Sequence, residues 1–252
     1  MDRRFDNIEN DISKQNNSFK IYLRDFLLDN ASWNLLLLIS KQTDVYIFSG
    51  VIRNFLLGIS NNRDLDIVVK DIDNIVIPKQ YLRNITFKRN SFGGYKLKVG
   101  MLGVDVWSLE KTWGIQNSQL KSTPYSLIKT AFFNFSSIVY DFNQSKFIYD
   151  NSFMEFYKTR AMDVRYEENP NIPLCIVNTF YYSLKYSFPI KYKLCQWITN
   201  HYSKDFDFRK TQLNHFGYII FKDYEIDELV NICLDLLPIL GKDKNNSALL
   251  LQ

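Results

Sequence analysis

Asp64 and Asp66 stand one residue apart in the run Asp64-Leu65-Asp66-Ile67-Val68-Val69, whose β-branched residues read as a strand. Side chains alternate along a strand, so the two acids share one face while Leu65 and Ile67 take the other. Two ionised carboxylates held so close repel each other unless a counter-charge is present. Hard divalent cations, which prefer oxygen ligands, supply one. Asp105 offers a third carboxylate: in Gly103-Val104-Asp105-Val106-Trp107 it takes the polar side of another alternating run. On neighbouring strands the three acids would suit two ions about 4 Å apart, a pair that activates an attacking hydroxyl and neutralises departing phosphates.

Upstream lies a segment suited to an anion. Val45 to Phe48 is a short β-type run, and Val51 to Leu57 reads as a helix that Gly58 ends. Between them, Ser49-Gly50 turns the chain into the helix, where backbone N–H groups favour phosphate. Gly50 keeps a side chain out of the approach, and Arg53 adds a positive charge on the first turn. Each feature alone has a plainer explanation. Most Asp-x-Asp pairs are solvated strand ends, Asp105 alone reads as a surface acid, and Gly93-Gly94 reads as a hairpin turn. Their order along the chain is what points to phosphate chemistry.

The remaining elements must position these residues. Residues 1–16 are polar and read as a frayed start. Apolar residues recur at helical spacing from Ser18 to Asp29 and again from Trp33 to Ile39. Tyr95–Val99 and Leu102–Trp107 form a strand pair joined through Gly100, and Ser137–Tyr140 and Lys146–Tyr149 another around Asn143. After residue 151 the texture becomes helical, with periodic apolar runs over 177–188, 194–198 and 226–237. Pro189 and Pro238 are expected to stop two of them. The fold class is therefore α+β: a domain over 1–150 built on a small mixed sheet with flanking helices, then a helical domain over 151–252.

Composition narrows the chemistry. The 252 residues are 46% hydrophobic and 16% aromatic, enough for a sizeable core. A formal charge of +4 permits a polyanionic partner without demanding one. His201 and His215 are the only histidines, leaving little material for a Ser-His-Asp triad or a histidine-bound metal. Cys175, Cys195 and Cys233 are widely spaced among apolar residues, which suits free thiols in a reducing cytoplasm. The first ten residues lack the apolar stretch of a signal peptide. The run WNLLLLIS is too short to span a bilayer, so no membrane partner is expected.

The ordered segment resembles the head-domain motif of the polymerase-β-type nucleotidyltransferase superfamily, in the branch of CCA-adding enzymes and bacterial poly(A) polymerases. That pattern runs Gly-Gly-x-x-Arg-Asp, Leu-Leu-Gly, Asp-x-Asp. Here it stands as Ser49-Gly50-Val51-Ile52-Arg53-Asn54, Leu56-Leu57-Gly58 and Asp64-Leu65-Asp66, with Asp105 matching the third carboxylate. The match covers roughly residues 45–110. A weaker echo continues through Phe133-Asn134-Phe135 and Ile148-Tyr149-Asp150 into a neck-like helical region.

The resemblance implies a nucleotidyltransferase head followed by a neck. It implies two Mg²⁺ ions, with Mn²⁺ as the alternative, and a nucleoside triphosphate such as ATP as substrate. Asp64 and Asp66 would hold both ions and Asp105 the ion at the acceptor, while Ser49, Gly50 and Arg53 would serve the triphosphate. The favoured acceptor is an RNA 3′ end, as of tRNA. A protein or small-molecule hydroxyl, such as that of an antibiotic, would use the same head. A silent nucleotide-binding or interaction module of a regulatory pair is the alternative from another class. The departures are Ser49 for glycine, Asn54 for aspartate, Lys129-Thr130-Ala131 where an Arg-Arg-Asp stretch belongs, and Asn178 near an expected arginine. For RNA, two cation-and-aromatic groups are candidates: Lys79, Tyr81, Arg83, Phe87, Lys88 and Arg89; and Lys185, Lys191 and Lys193 among Tyr186, Phe188 and Tyr192.

Overall fold

The computed structural model describes residues 5–60, 62, 64–79, 86–89, 94–99, 102–244 and 247–251. Two compact units emerge: Met1–Ala131 with Phe135–Met154, and Phe132–Asn134 with Glu155–Gln252.

The first unit opens with α1 (Asp6–Lys14) and α2 (Asn16–Tyr22), which runs into a wider turn over Leu23–Leu27. Over residues 5–16 the expected frayed start is therefore corrected. Ile12 and Phe19 are fully buried, and Asn16 accepts the Phe147 N–H at 2.9 Å while its carbonyl accepts the Tyr140 hydroxyl at 3.0 Å. Apolar burial and long-range hydrogen bonds hold a segment whose own composition is too polar to announce a helix. Next comes α3 (Asn30–Ser40), capped by Asp29, whose carboxylate accepts the Ser32 N–H at 2.7 Å.

The sheet follows: β1 (Val45–Phe48), α4 (Gly50–Leu56), β2 (Asp64–Val69), β3 (Thr86–Arg89), β4 (Tyr95–Val99) and β5 (Leu102–Ser108). After the short helices α5 (Trp113–Gln116) and α6 (Pro124–Lys129) come β6 (Ile138–Asp141), β7 (Lys146–Tyr149) and α7 (Asn151–Thr159). Seven strands lie in the order β3-β4-β5-β2-β1-β6-β7. All neighbours are antiparallel except β2 and β5, which run parallel. Gly93 and Gly100, expected at the turns flanking β4, lie outside the described residues.

Alternation divides the central strands as their sequences require. Leu65, Ile67, Val104 and Val106 are buried on one face, lining one apolar space with Leu35, Leu36 and Ile39 of α3. On the other face Tyr46, Val68 and Val139 pack with Leu109, Ile115, Leu127 and Ile128 around α5 and α6. Asp66 and Asp105 belong to this second face and are partly exposed.

The second unit is helical: α8 (Ile172–Tyr186), α9 (Tyr192–His201), α10 (Phe208–Phe216) and α11 (Asp223–Leu240), with a two-residue pairing of Ile190–Lys191 and Ala248–Leu249. Asn171 caps α8, and α10 ends at Gly217 with φ +79°. The helix α11 does not stop at Pro238 as expected but runs on to the buried Leu240. So near the C-terminus a proline forfeits one hydrogen bond, and the burial of Leu240 favours the last turn. All three cysteines are free and buried, and burial pushes the Cys175 thiol well above its ordinary value. No helix among the described residues is long and apolar enough to cross a membrane.

Candidate functional site

The parallel register of β2 on β5 sets Asp66 directly across from Asp105 and Asp64 across from Gly103. Neighbouring strands lie about 4.8 Å apart, so the Asp66 and Asp105 side chains rise side by side from one face. Gly103 is part of this arrangement. A Cβ built there would lie 2.7 Å from Asp64 Oδ1, so the glycine makes room for that carboxylate. On the far side of β5, Lys96 of β4 pairs in register with Asp105 and brings Nζ to 3.6 Å of its carboxylate.

The turn after β1 closes the other side. Phe48 pairs with Asp66, so Ser49-Gly50 leaves the sheet next to the carboxylates. Ser49 takes φ 49°, the left-handed region where glycine is at ease, which fits a position where the family motif has glycine. A Cβ at Gly50 would meet nothing within 4 Å, so the glycine faces open space.

Arg53 lies on α4, four residues after Ser49. Only 4% exposed, it donates from Nε and Nη2 to Asn54 Oδ1 at 3.1 and 2.8 Å and lies 5.0 Å from the Phe135 ring. Asn54 donates onward to Asn62, which donates to the Tyr22 hydroxyl. These contacts tie the guanidinium to the helix behind the turn. Asn54, the departure from the motif aspartate, accepts from Arg53 and still has an N–H for Asn62.

Sequence reasoning missed the pocket beside the acids. A cavity of about 330 Å³ is lined by Asp66, Asp105, Lys96, Trp107, Lys111, Thr112 and Trp113. Trp107 sits two residues beyond Asp105, on the same face, and its indole N–H donates to Thr112 Oγ1 at 3.0 Å. That two-residue spacing was the available signal for Gly103 and Trp107 alike. Lys96 comes in through the expected β4–β5 strand pair, while Trp113, at the start of α5, left none.

Of the proposed RNA-binding groups, Tyr81, Arg83 and the Phe87 side chain lie outside the described residues, while Lys79, Lys88 and Arg89 are exposed. In the second group Lys191 pairs with Glu155 at 2.6 Å and Lys193 with Glu167 at 2.7 Å. Their charge is largely answered within the second unit.

Among the described residues no group of three or more His, Cys, Asp or Glu side chains is gathered to hold a metal ion. The donor chemistry of the shared face nonetheless fits Mg²⁺: carboxylate oxygens, two on one strand and one directly across. The space that Gly103 leaves for Asp64 belongs to the same design.

No family model matches this sequence, and no curated protein matches it. Solved structures do. An apo form of a CCA-adding enzyme aligns with a TM-score of 0.60 at 16% identity, covering 82% of this chain and 52% of that one. The Thermotoga maritima CCA-adding enzyme complexed with tRNA aligns at 0.56 and 17%, covering 82% and 52%. A tRNA nucleotidyltransferase complexed with a primer tRNA and an incoming ATP analogue aligns at 0.56 and 18%, covering 77% and 58%. The chain spans little more than half the length of these proteins, and over that part it has the nucleotidyltransferase fold of the CCA-adding enzymes.

Proposed function

We propose that this protein transfers a nucleoside monophosphate from a nucleoside triphosphate to an acceptor hydroxyl, with an RNA 3′ end as acceptor. The observation that carries the reading is the β2–β5 register, which sets three carboxylates on one face beside an open glycine turn. Structures sharing the fold include CCA-adding enzymes in complex with ATP, with CTP and with tRNA, which supports a triphosphate and RNA as ligands.

In this reading the Ser49-Gly50 backbone receives the triphosphate, and Arg53 holds that turn rigid from behind. Asp64 and Asp66 would hold two Mg²⁺ ions and Asp105 would share the one nearer the acceptor. Once bound, the ions supply charge neutralisation for the phosphates and acidify the acceptor hydroxyl. The hydroxyl oxygen bonds to the α-phosphorus as the α–β bridging bond breaks. Pyrophosphate leaves with the electron pair, and the hydroxyl proton passes to solvent. The carboxylates position and balance charge, so a site without histidine suffices.

The test supplies each α-labelled triphosphate with Mg²⁺ and total RNA. Label should enter RNA, and Asp66→Ala should lower the rate about a thousand-fold, the scale of losing one preorganised electrostatic group. Label in protein or in a small molecule would move the acceptor elsewhere. Absence of transfer with every triphosphate, in Mg²⁺ and in Mn²⁺, would return the silent binding module. Asn54 in the motif and the Lys96 ammonium already beside Asp105 favour that second reading.

A further inference from the structure

The cavity beside Asp105 is a built site with a chemistry of its own. Its lining holds two carboxylates, Asp66 and Asp105, two indoles, Trp107 and Trp113, and two lysines, Lys111, which pairs with Asp73, and Lys96, whose ammonium stands at Asp105. About 330 Å³ falls within the range of small-ligand pockets and suits a single planar residue. Trp107 is fixed in place by its hydrogen bond to Thr112 and by an edge-on contact with Phe48, ring centroids 6.4 Å apart at 89°. A fixed indole offers a nucleobase a stacking surface at low entropic cost.

The strand order says which base. The triphosphate turn follows β1, the two-acid strand β2 comes next, and the cavity lies over β5 and β4 on the far side of β2. In-line displacement places the incoming hydroxyl and the leaving pyrophosphate on opposite sides of the α-phosphorus. With pyrophosphate at the turn, the cavity is on the acceptor side. We infer that Trp107 and Trp113 stack the terminal base of a single-stranded acceptor and so deliver its hydroxyl to Asp105, with Lys96 meeting the adjoining phosphate. This rests on the transferase reading above and adds the residues that would favour a base-bearing 3′ end over an amino sugar or a protein side chain: the Trp107 and Trp113 indoles.

Binding can be read without catalysis. The full chain is titrated with a short single-stranded oligoribonucleotide in EDTA, following tryptophan fluorescence in a background where Trp33 and Trp197 are phenylalanine. Saturable quenching is expected, weakened about ten- to hundred-fold by Trp113→Ala and restored by Trp113→Tyr. In turnover, Trp113→Ala should raise KM for the RNA acceptor and leave KM for the triphosphate unchanged. Thermal melting of each variant separates lost binding from lost folding, and Trp107→Phe serves if Trp113→Ala unfolds. Equal quenching by ATP alone would place the incoming base there and overturn the acceptor assignment. Quenching unaffected by either indole variant, or matched by an aminoglycoside, would overturn the site itself. If stacking is seen but no nucleotide is ever transferred, the pocket stands and the transferase reading fails. If transfer occurs with acceptor KM unmoved in Trp113→Ala, the reverse holds.

Discussion

Ser49 keeps a backbone angle that belongs to glycine. A non-glycine residue with φ near 49° costs about 1–3 kcal/mol unless its side chain compensates, and the Ser49 side chain caps nothing on α4. Ser49→Gly relieves that strain but adds about 0.5–1 kcal/mol of unfolded-chain entropy. The variant should therefore gain about 1 kcal/mol in urea denaturation; a loss would show that the serine compensates in some other way. Strain persisting in a turn next to the acids is what a site under functional constraint shows. The acids were legible for a related reason. Alternation alone predicts that Asp64 and Asp66 share a face, and strand β5 reads the same way. The partners of Arg53 were not legible, because one of them is the Phe135 ring, 82 positions further along the chain.

At the scale of elements, what local chemistry dictates was readable and what distant partners dictate was not. Gly58, at φ +70°, ends α4 where glycine in the sequence says it should. The helix α1 shows the converse. Its sequence is polar, and its burial comes from contacts that no local pattern encodes. Caps lie between the two, and Asp29 makes a measurable case. The Ser32 hydroxyl, first, and then the Ser32 backbone N–H hold its carboxyl below the ordinary value. Stabilisation from a lowered folded pKa is complete above the unfolded value, about 3.9, and is lost as pH falls through the folded one. Asp29→Ala should cost about 1 kcal/mol at pH 7, typical of an N-cap. The gap to wild type should close as denaturation is repeated from pH 5 down to pH 2. A gap that is constant with pH would mean the cap acts through its shape and not its charge.

For the whole molecule, the boundary drawn at 150 from a change in texture differs from the division of the folded chain. Phe132–Asn134 belongs to the second unit although unit-one sequence flanks it on both sides. Asn134 explains this. Its Nδ2 donates to the Ala161 carbonyl at 3.0 Å and its Oδ1 accepts the Asp163 N–H at 2.9 Å, partners 27 and 29 positions away. Every residue assigned to metal or triphosphate, from Ser49 to Asp105, lies in the first unit. A ligand that binds only the folded form stabilises it by RT ln(1 + [L]/Kd), about 2.7 kcal/mol at a hundred times Kd. Mg²⁺ with a non-hydrolysable triphosphate at that level should slow exchange of the core amides of β1, β2 and β5 by about a hundred-fold, wherever these exchange through opening of the unit. In Asp66→Ala the same addition should change little, while melting without ligand should match or exceed wild type, because one of two facing carboxylates is gone. Wild-type protection indifferent to nucleotide would remove the triphosphate from the first unit. The shared face of acids would then be a structural charge cluster answered by Lys96.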